Sequence, residues 1–519
     1  LALRIASRSL AAQAGGDRAT RREDLMKTIV KDAVSALESV TGEDRDSMTE
    51  GLLSRVRYIL ADEYQDIDED EYRMLALLSR KDEPDAEREV RLLAVGDDDQ
   101  NIYEWKGSDV KFIRRFEADY KPAVHRLLTN YRSSEPITSF CEEFIRRLPG
   151  RMKANEKLVS AKSGMLVPEN SRRPSVIRVA GPAQVFGEVL AEVERLRKDG
   201  FAPEDIAVLT FANDDLFRVK YLLESRGNAT HCIRRPEVPL LKVREIYHLI
   251  QYMEDQPERE MRQAGFRELV GQGRLSRGGA GNPWEELIDQ LVEDYLGETG
   301  SPSPLQFVSF MHDVSREKRM GMLKRPGRIT LSTMHASKGL EFPAVVVVPE
   351  GLKTGPESHR VAYVAMTRAQ NALSIIGTDV PGSIAHEIFS HTKTETRSES
   401  IHDNLPDIRV WEMGMSDVYL SFAGRSNTHE QIAQVMKTMS YEHPGNLENN
   451  GIFVDGIEVC RLSKRAAESL PQKMDGRHAI EVKCHTIVRR HREDEDPAAM
   501  PPLLCESWEI PLFRLTFSK

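Results

Sequence analysis

Tyr58-Ile59-Leu60-Ala61-Asp62-Glu63-Tyr64-Gln65-Asp66 is the stretch on which the reading of this chain turns. Its first half is a short apolar run inside polar sequence, which predicts a buried parallel strand. Such a strand delivers two adjacent carboxylates, Asp62 and Glu63, to its C-terminal end, where open α/β sheets place their ligands. A carboxylate there can hold Mg²⁺, directly or through water, while its neighbour orients and deprotonates an attacking water. An isolated Asp-Glu pair after a strand reads more simply as a solvated turn. The blocks that follow along the chain decide between the two.

A second apolar run, Arg91-Leu92-Leu93-Ala94-Val95, leads into Gly96-Asp97-Asp98-Asp99-Gln100-Asn101-Ile102-Tyr103-Glu104-Trp105-Lys106-Gly107. Asn130-Tyr131-Arg132-Ser133-Ser134, Thr333-Met334-His335-Ala336-Ser337-Lys338-Gly339-Leu340-Glu341-Phe342 and Tyr363-Val364-Ala365-Met366-Thr367-Arg368-Ala369 come next. Five blocks in this order resemble the motor of superfamily 1 DNA helicases of the UvrD/Rep type, over about residues 50–380. The resemblance implies an α/β fold of two RecA-like parallel-sheet motor domains with helical insertions. It implies an ATP-dependent 3′→5′ DNA helicase or translocase of DNA repair or recombination, using ATP and Mg²⁺.

Carried over residue by residue, Asp62 holds the metal, Glu63 is the general base, and Gln100 touches nucleotide and metal-bound water. Tyr131 lies on the adenine, Arg132 and Arg368 reach the γ-phosphate, and Glu341 contacts the nucleotide sugar. A guanidinium suits that task because it neutralises charge that develops during phosphoryl transfer. Tyr103 and Trp105 alternate at i, i+2, so an extended loop would project both from one side. Base stacking there is tolerant of sequence and worth ~1–3 kcal/mol per base. Core packing is the plainer role for a lone Trp, but polar Glu104 and Lys106 on either side favour stacking. Thr333 and His335 would donate to a DNA phosphate. The implied partners are single-stranded DNA and its junctions with duplex.

One part of the family pattern is absent: the chain has no Gly-x-x-x-x-Gly-Lys-Ser/Thr and no Gly-Lys dipeptide. The expectation is a chain without the N-terminal part that carries the phosphate-binding loop, inactive alone, with the loop supplied by a missing segment or a protein partner. The rival is a non-catalytic nucleic-acid- or partner-binding protein that retains the motor shell. Intact Asp62, Glu63, Gln100, Arg132 and Arg368 argue against that rival.

The bulk numbers fit. The 519 residues are 40% hydrophobic and 30% charged, enough for several domains with ordinary cores. A formal charge of −10 does not veto nucleic-acid binding, since only the surface along the strand has to be basic. No apolar run approaches the roughly 20 residues needed to span a bilayer. Five cysteines without Cys-x-x-Cys spacing give no metal or disulfide framework and fit a reducing cytoplasm.

Residues 1–57 read as a helical, incomplete part of the first motor domain, and 58–170 as its remainder. In the latter, Asp68 caps an amphipathic helix, and Arg146, Arg147, Arg151, Lys153 and Lys157 read as a solvated face. Residues 171–232 and 327–380 carry the βαβ rhythm of the second domain, interrupted at 233–326 by a reduced helical insertion. Residues 381–410 read as a polar linker. Residues 411–519 read as a small α+β appendage with a hairpin at Asp455-Gly456.

Overall fold

The computed structural model describes residues 30–35, 37–38, 57–79, 90–153, 156–162, 173–233, 238–275, 282–316, 327–391, 395–397, 407–495 and 501–519. The helical reading of 1–29 and 39–56, the Gly-rich 276–281 and the basic 317–326 lie outside them. The chain divides into two compact units, one of residues 1–179 and 337–397, the other of 180–336 and 398–519.

In the first unit, strand Tyr58–Ala61 pairs parallel with Arg91–Ala94, Tyr58 opposite Arg91 and Ala61 opposite Ala94. Both strands form where the apolar runs predict them, but neither is buried on both faces. Ile59, Ala61, Leu92 and Ala94 point inward, and the last three pack on a cluster of Tyr64, Tyr72, Phe112 and Phe116. On the other face Tyr58 is 65%, Leu60 74% and Leu93 56% exposed. A period of two carries one apolar set inward and the other outward, and nothing among the described residues covers the outer set.

Helix Glu69–Leu78 starts as its sequence predicts. Asp68 accepts from the Glu71 amide at 2.9 Å and Glu71 reaches back to the Asp68 amide at 3.1 Å, a complete capping box. Four further parallel strands of this unit run in the order Glu395–Arg397, Ser175–Val179, Ala369–Thr378, Phe342–Val348. Ala344 to Val348 are all buried, the behaviour expected of a continuous apolar run sandwiched on both faces. Segment 381–410 is more than a linker: it contains helix Ile384–His391 and strand Glu395–Arg397.

The second unit has its own parallel strands, Ile206–Thr210, Ile329–Thr333 and Thr230–Ile233, with Ile329–Thr333 in the middle. Helix Asn213–Glu224 ends in a turn closed by Gly227 at φ +78°, a conformation glycine reaches without strain. The insertion helices Arg244–Glu254, Gln263–Gln272, Pro283–Glu298 and Pro304–Arg316 do not stand apart from the C-terminal residues. One apolar core runs from Val238 through Met311 and on from Trp411 to Phe517. The C-terminal sheets are antiparallel: Ile408–Glu412, Ser507–Ser518 and His478–His491 form one, and Asn446–Glu448, Gly451–Val454 and Ile457–Arg461 the other. The hairpin closes at Asp455 and Gly456, both at positive φ, as a two-residue turn matched to strand twist requires.

Candidate functional site

The stretch quoted first ends in a short 3₁₀ turn, Tyr64–Asp66. Glu63 enters it with left-handed backbone, φ 50° and ψ 40°, which costs a non-glycine residue about 1–2 kcal/mol. That conformation turns the chain sharply after the strand and leaves Asp62 and Glu63 both exposed. Asp62 Oδ1 accepts from the Glu63 amide at 2.9 Å, and Gln65 Nε2 donates to Glu63 Oε2. Gln65 itself is buried, and its Oε1 accepts from the Asp97 amide at 2.9 Å. Asn101 Nδ2 donates to the Gln65 carbonyl at 2.6 Å. A Cβ on Gly96 would lie 2.9 Å from Gln65 Oε1, so the two loops meet only because residue 96 has no side chain.

Three consecutive aspartates follow, and their charge is met from a distant segment. Arg151 donates to Asp99 through Nε at 2.8 Å and Nη2 at 2.6 Å, with both side chains almost fully buried. Lys153 pairs with Asp97, and the Met152 amide donates to Asp98 at 2.7 Å. Burial alone would raise the Asp97 carboxyl, but Lys153 and the hydrogen bonds from Gln100 and Asp99 outweigh it and hold it low. Arg151 and Lys153 are therefore not part of a solvated face. They fix the loop that carries Gln100, whose Nε2 donates to Asp97 Oδ2 at 2.9 Å.

Asn130 Oδ1 accepts from the amides of Arg132 and Ser133, each at 2.9 Å, and so shapes the Asn-Tyr-Arg turn. That turn is tied to strand Ala369–Thr378 by Ser133 Oγ to the Ala369 carbonyl at 2.6 Å and the Ser134 amide to Gln370 O at 2.8 Å. Tyr131 is left 77% exposed. Arg132 Nε donates to Glu341 Oε2 at 2.8 Å, and Gln370 Nε2 holds the other carboxylate oxygen at 3.0 Å.

Arg368 is buried at the C-terminal end of helix Pro356–Met366. It donates to the carbonyls of Val364 at 2.8 Å and Leu340 at 3.2 Å, and its Nη2 lies 3.5 Å from Gln100 Oε1. Burial, and then the like charge of Arg132, lower its pKa to about 10. Two guanidinium groups thus lie close enough to repel each other, with the carboxylates of Glu63 and Glu341 acting on Arg368, an arrangement that would suit an anionic group.

Sequence reasoning assigned no role to Lys338. Its ammonium lies 2.5 Å from Asp66 Oδ2, 2.9 Å from the Gln100 carbonyl and 3.9 Å from Glu63 Oε2, and 5.2 Å from the centre of the Tyr103 ring. It thus touches the carboxylate loop, the Gln100 loop and an aromatic of the next turn together. The one lysine within Thr333–Phe342 was the only signal.

Glu104–Lys106 is a 3₁₀ turn rather than an extended loop, so Tyr103 and Trp105 do not project as a simple alternating pair. Their rings meet edge-on at 68° with centroids 6.5 Å apart. Trp105 is 66% exposed while Tyr103 is half-buried, and Arg360 pairs with Glu104 to hold the turn. The first unit thus brings together Glu63, Gln100, Arg132, Glu341 and Arg368, with Asp62, Tyr103, Trp105 and Tyr131 on the same unit. Thr333 and His335 belong to the second unit, where Thr333 Oγ1 accepts from the Ala336 amide at 3.2 Å and the His335 ring lies 6.1 Å from Phe211.

Two family models match the chain: the UvrD/REP helicase N-terminal domain over residues 19–121 and the UvrD-like helicase C-terminal domain over residues 228–379. The chain is similar to the ATP-dependent DNA helicase PcrA of Staphylococcus aureus, 24% identical over 412 residues that cover 62% of this chain and 55% of that one. It is similar to the ATP-dependent DNA helicase UvrD2 of Mycobacterium tuberculosis, 26% identical with 64% and 49% covered. A shorter match, 32% identical over 171 residues, covers 33% of this chain and 21% of YjcD of Bacillus subtilis. The chain thus spans about half the length of PcrA and UvrD2, and about a fifth of YjcD.

Proposed function

We propose, from the premise that this chain belongs to the UvrD/REP superfamily 1 helicases, that it is part of an ATP-driven motor moving 3′→5′ on single-stranded DNA in repair or recombination. The observation that carries the reading is the meeting of Arg132 and buried Arg368 beside Gln100, with Glu63 close by. Arg132 and Arg368 would take the γ-phosphate of ATP, Tyr131 the adenine face and Glu341 the sugar. The exposed carboxylate of Asp62 suits Mg²⁺, which keeps several of its waters and accepts one or two protein oxygens. When bound, the ion would neutralise charge on the phosphate oxygens.

Glu63 would orient a water and take its proton, and the arginines would hold the charge that spreads over the γ-phosphoryl oxygens. Trp105 and Tyr103 would stack on bases while Thr333 and His335 hold phosphates, including at junctions with duplex. The sequence offers no loop for the remaining phosphates, so turnover requires one from outside these 519 residues, in the same polypeptide or a partner. The face of Tyr58, Leu60 and Leu93, which no described residue covers, supports this reading, since a further strand-and-loop segment would cover it.

A second reading, a non-catalytic binding protein that keeps the motor shell, draws on Lys338. Its ammonium stands beside Asp66 and Glu63, where a metal's charge would otherwise act. ATP binding and hydrolysis separate the two. The 519-residue chain alone should hydrolyse ATP negligibly, and gain DNA-stimulated hydrolysis once a Gly-Lys-Ser/Thr loop segment is supplied. In that restored protein Glu63→Gln should abolish turnover with ATP affinity near the parent's, and Arg368→Ala should slow turnover by roughly 10³-fold. A parental rate in Glu63→Gln would refute the assignment, and no hydrolysis after restoration would favour the second reading.

A further inference from the structure

Trp105 turns its indole to solvent, and its ring meets Tyr103 edge-on. A ring that projects in this way takes its direction from the backbone beneath it. That backbone is a single 3₁₀ turn, Glu104–Lys106, closed by the Gly107 amide on the Glu104 carbonyl at 2.9 Å, with Gly107 at φ +98°. One turn of this kind has poor hydrogen-bond geometry and little hold of its own.

The hold comes from helix Pro356–Met366, in the same unit. Arg360 pairs with Glu104, the residue before the indole, across 256 positions of chain. The Trp105 amide donates to the carboxylate of Glu357. Glu357 and Arg360 lie three apart on the helix and so share one face of it. The Arg360 side chain is 12% exposed against 39% for Glu104, so the guanidinium is rooted in the helix and the turn comes to it. Electrostatics give the arginine its weight. Burial and then the like charge of Glu104 push the Glu357 carboxyl up, while the Trp105 amide and Arg360 act the other way. With Arg360 removed, a carboxylate on the turn and one on the helix would repel across the contact, and the turn would lift.

We propose that Arg360 is a positioning residue for single-strand binding: through Glu104, and with Glu357 beside it, it sets the turn that aims the Trp105 indole at a base. Its contribution runs through the indole. A ring aimed in advance stacks without first being ordered, and that ordering would otherwise be subtracted from the affinity. The inference rests on the reading of Trp105 as a base platform, and adds to it the helix residues that fix the platform's orientation.

The test uses the full chain, a fluorescein-labelled oligo(dT) and a double-variant cycle read by anisotropy. Arg360→Met should weaken binding about fivefold, the lower end of what one stacked base is worth. In a Trp105→Ala background the same substitution should add almost nothing, because the group it positions is gone. A purely structural role would not show this dependence on the indole. Since Arg360 is largely buried, its variant counts only if circular dichroism and melting match the parent. Glu104→Gln, at the exposed end of the pair, otherwise carries the same comparison with the same expected loss. Binding at the parent's affinity by the variant that counts, while Trp105→Ala binds more weakly, would overturn the proposal and leave the reading of Trp105 standing. So would a loss that persists undiminished without the indole. A Trp105→Ala chain that binds like the parent would overturn both.

Discussion

Replacing Arg151 with methionine should loosen the Asp97–Gln100 loop more than any other single change in the first unit. The guanidinium makes two short bonds to Asp99, and the two side chains are 2% and 0% exposed. Removing one partner of a buried pair leaves an uncompensated charge, typically ~3–5 kcal/mol. Lys153 Nζ lies 3.4 Å from Asp99 and would take over part of the compensation, which puts the expectation near the lower figure, about 3 kcal/mol. In native-state hydrogen exchange, residues 91–101 should then open roughly 10²-fold more often. Global denaturant curves are a poor assay here, since a chain of two compact units need not unfold in one step. The double variant Arg151→Met/Asp99→Leu should recover most of the protection, because an apolar pair of similar volume removes the stranded charge. Exchange in Arg151→Met within threefold of the parent, or a double variant as open as the single, would refute the reasoning.

Trp105→Ala should weaken single-strand binding by ~1–3 kcal/mol irrespective of sequence, measured by fluorescence anisotropy with unrelated oligonucleotides; equal affinity would place the indole outside the DNA path. The Asp97–Lys153 pair should make loop protection pH-dependent at both extremes. The lowered Asp97 contributes stability above its unfolded value of about 3.9 and loses it as pH falls through the folded value. Lys153 is raised: burial lowers it, but Asp97 and Asp99 outweigh that, so its contribution is complete below about 10.4 and fades as pH rises through the folded value. Asp98, pushed up chiefly by burial, titrates in the opposite sense, so comparison with Lys153→Met isolates the pair. A parent and variant with parallel profiles from pH 3 to 7 would count against it.

The blocks that read clearly in the sequence are those whose chemistry is local. The Asp68 cap needs only residues three apart, and the Asp455-Gly456 hairpin only a two-residue turn between alternating strands. The order of the five blocks located the candidate site because each block closes on its own backbone, as Asn130 does with the amides of Arg132 and Ser133. What the sequence concealed was pairing at a distance. Arg151 meets Asp99 across 52 positions, and nothing in a run of basic residues distinguishes a buried guanidinium from a solvated one. Lys338 meets Asp66 across 272 positions. The apolar Tyr58–Ala61 run could not reveal that Tyr58 and Leu60 are exposed, with no described residue over them, since burial depends on what packs there. Likewise Trp284 Nε1 donates to the His485 carbonyl at 3.2 Å, joining an insertion helix to a C-terminal strand that sequence reading kept as separate parts.

The left-handed backbone at Glu63 sets stability and chemistry against each other at a single position. Glycine there would relieve about 1 kcal/mol of strain, and asparagine would ease part of it through its tolerance of the same conformation. Either would remove the carboxylate that stands at the end of the strand. A selection for thermal robustness alone would therefore drift toward chains that fold more readily and lack the carboxylate proposed above to activate a water. At φ 50°, Glu63 thus carries a folding cost in the same residue to which the chemistry is assigned.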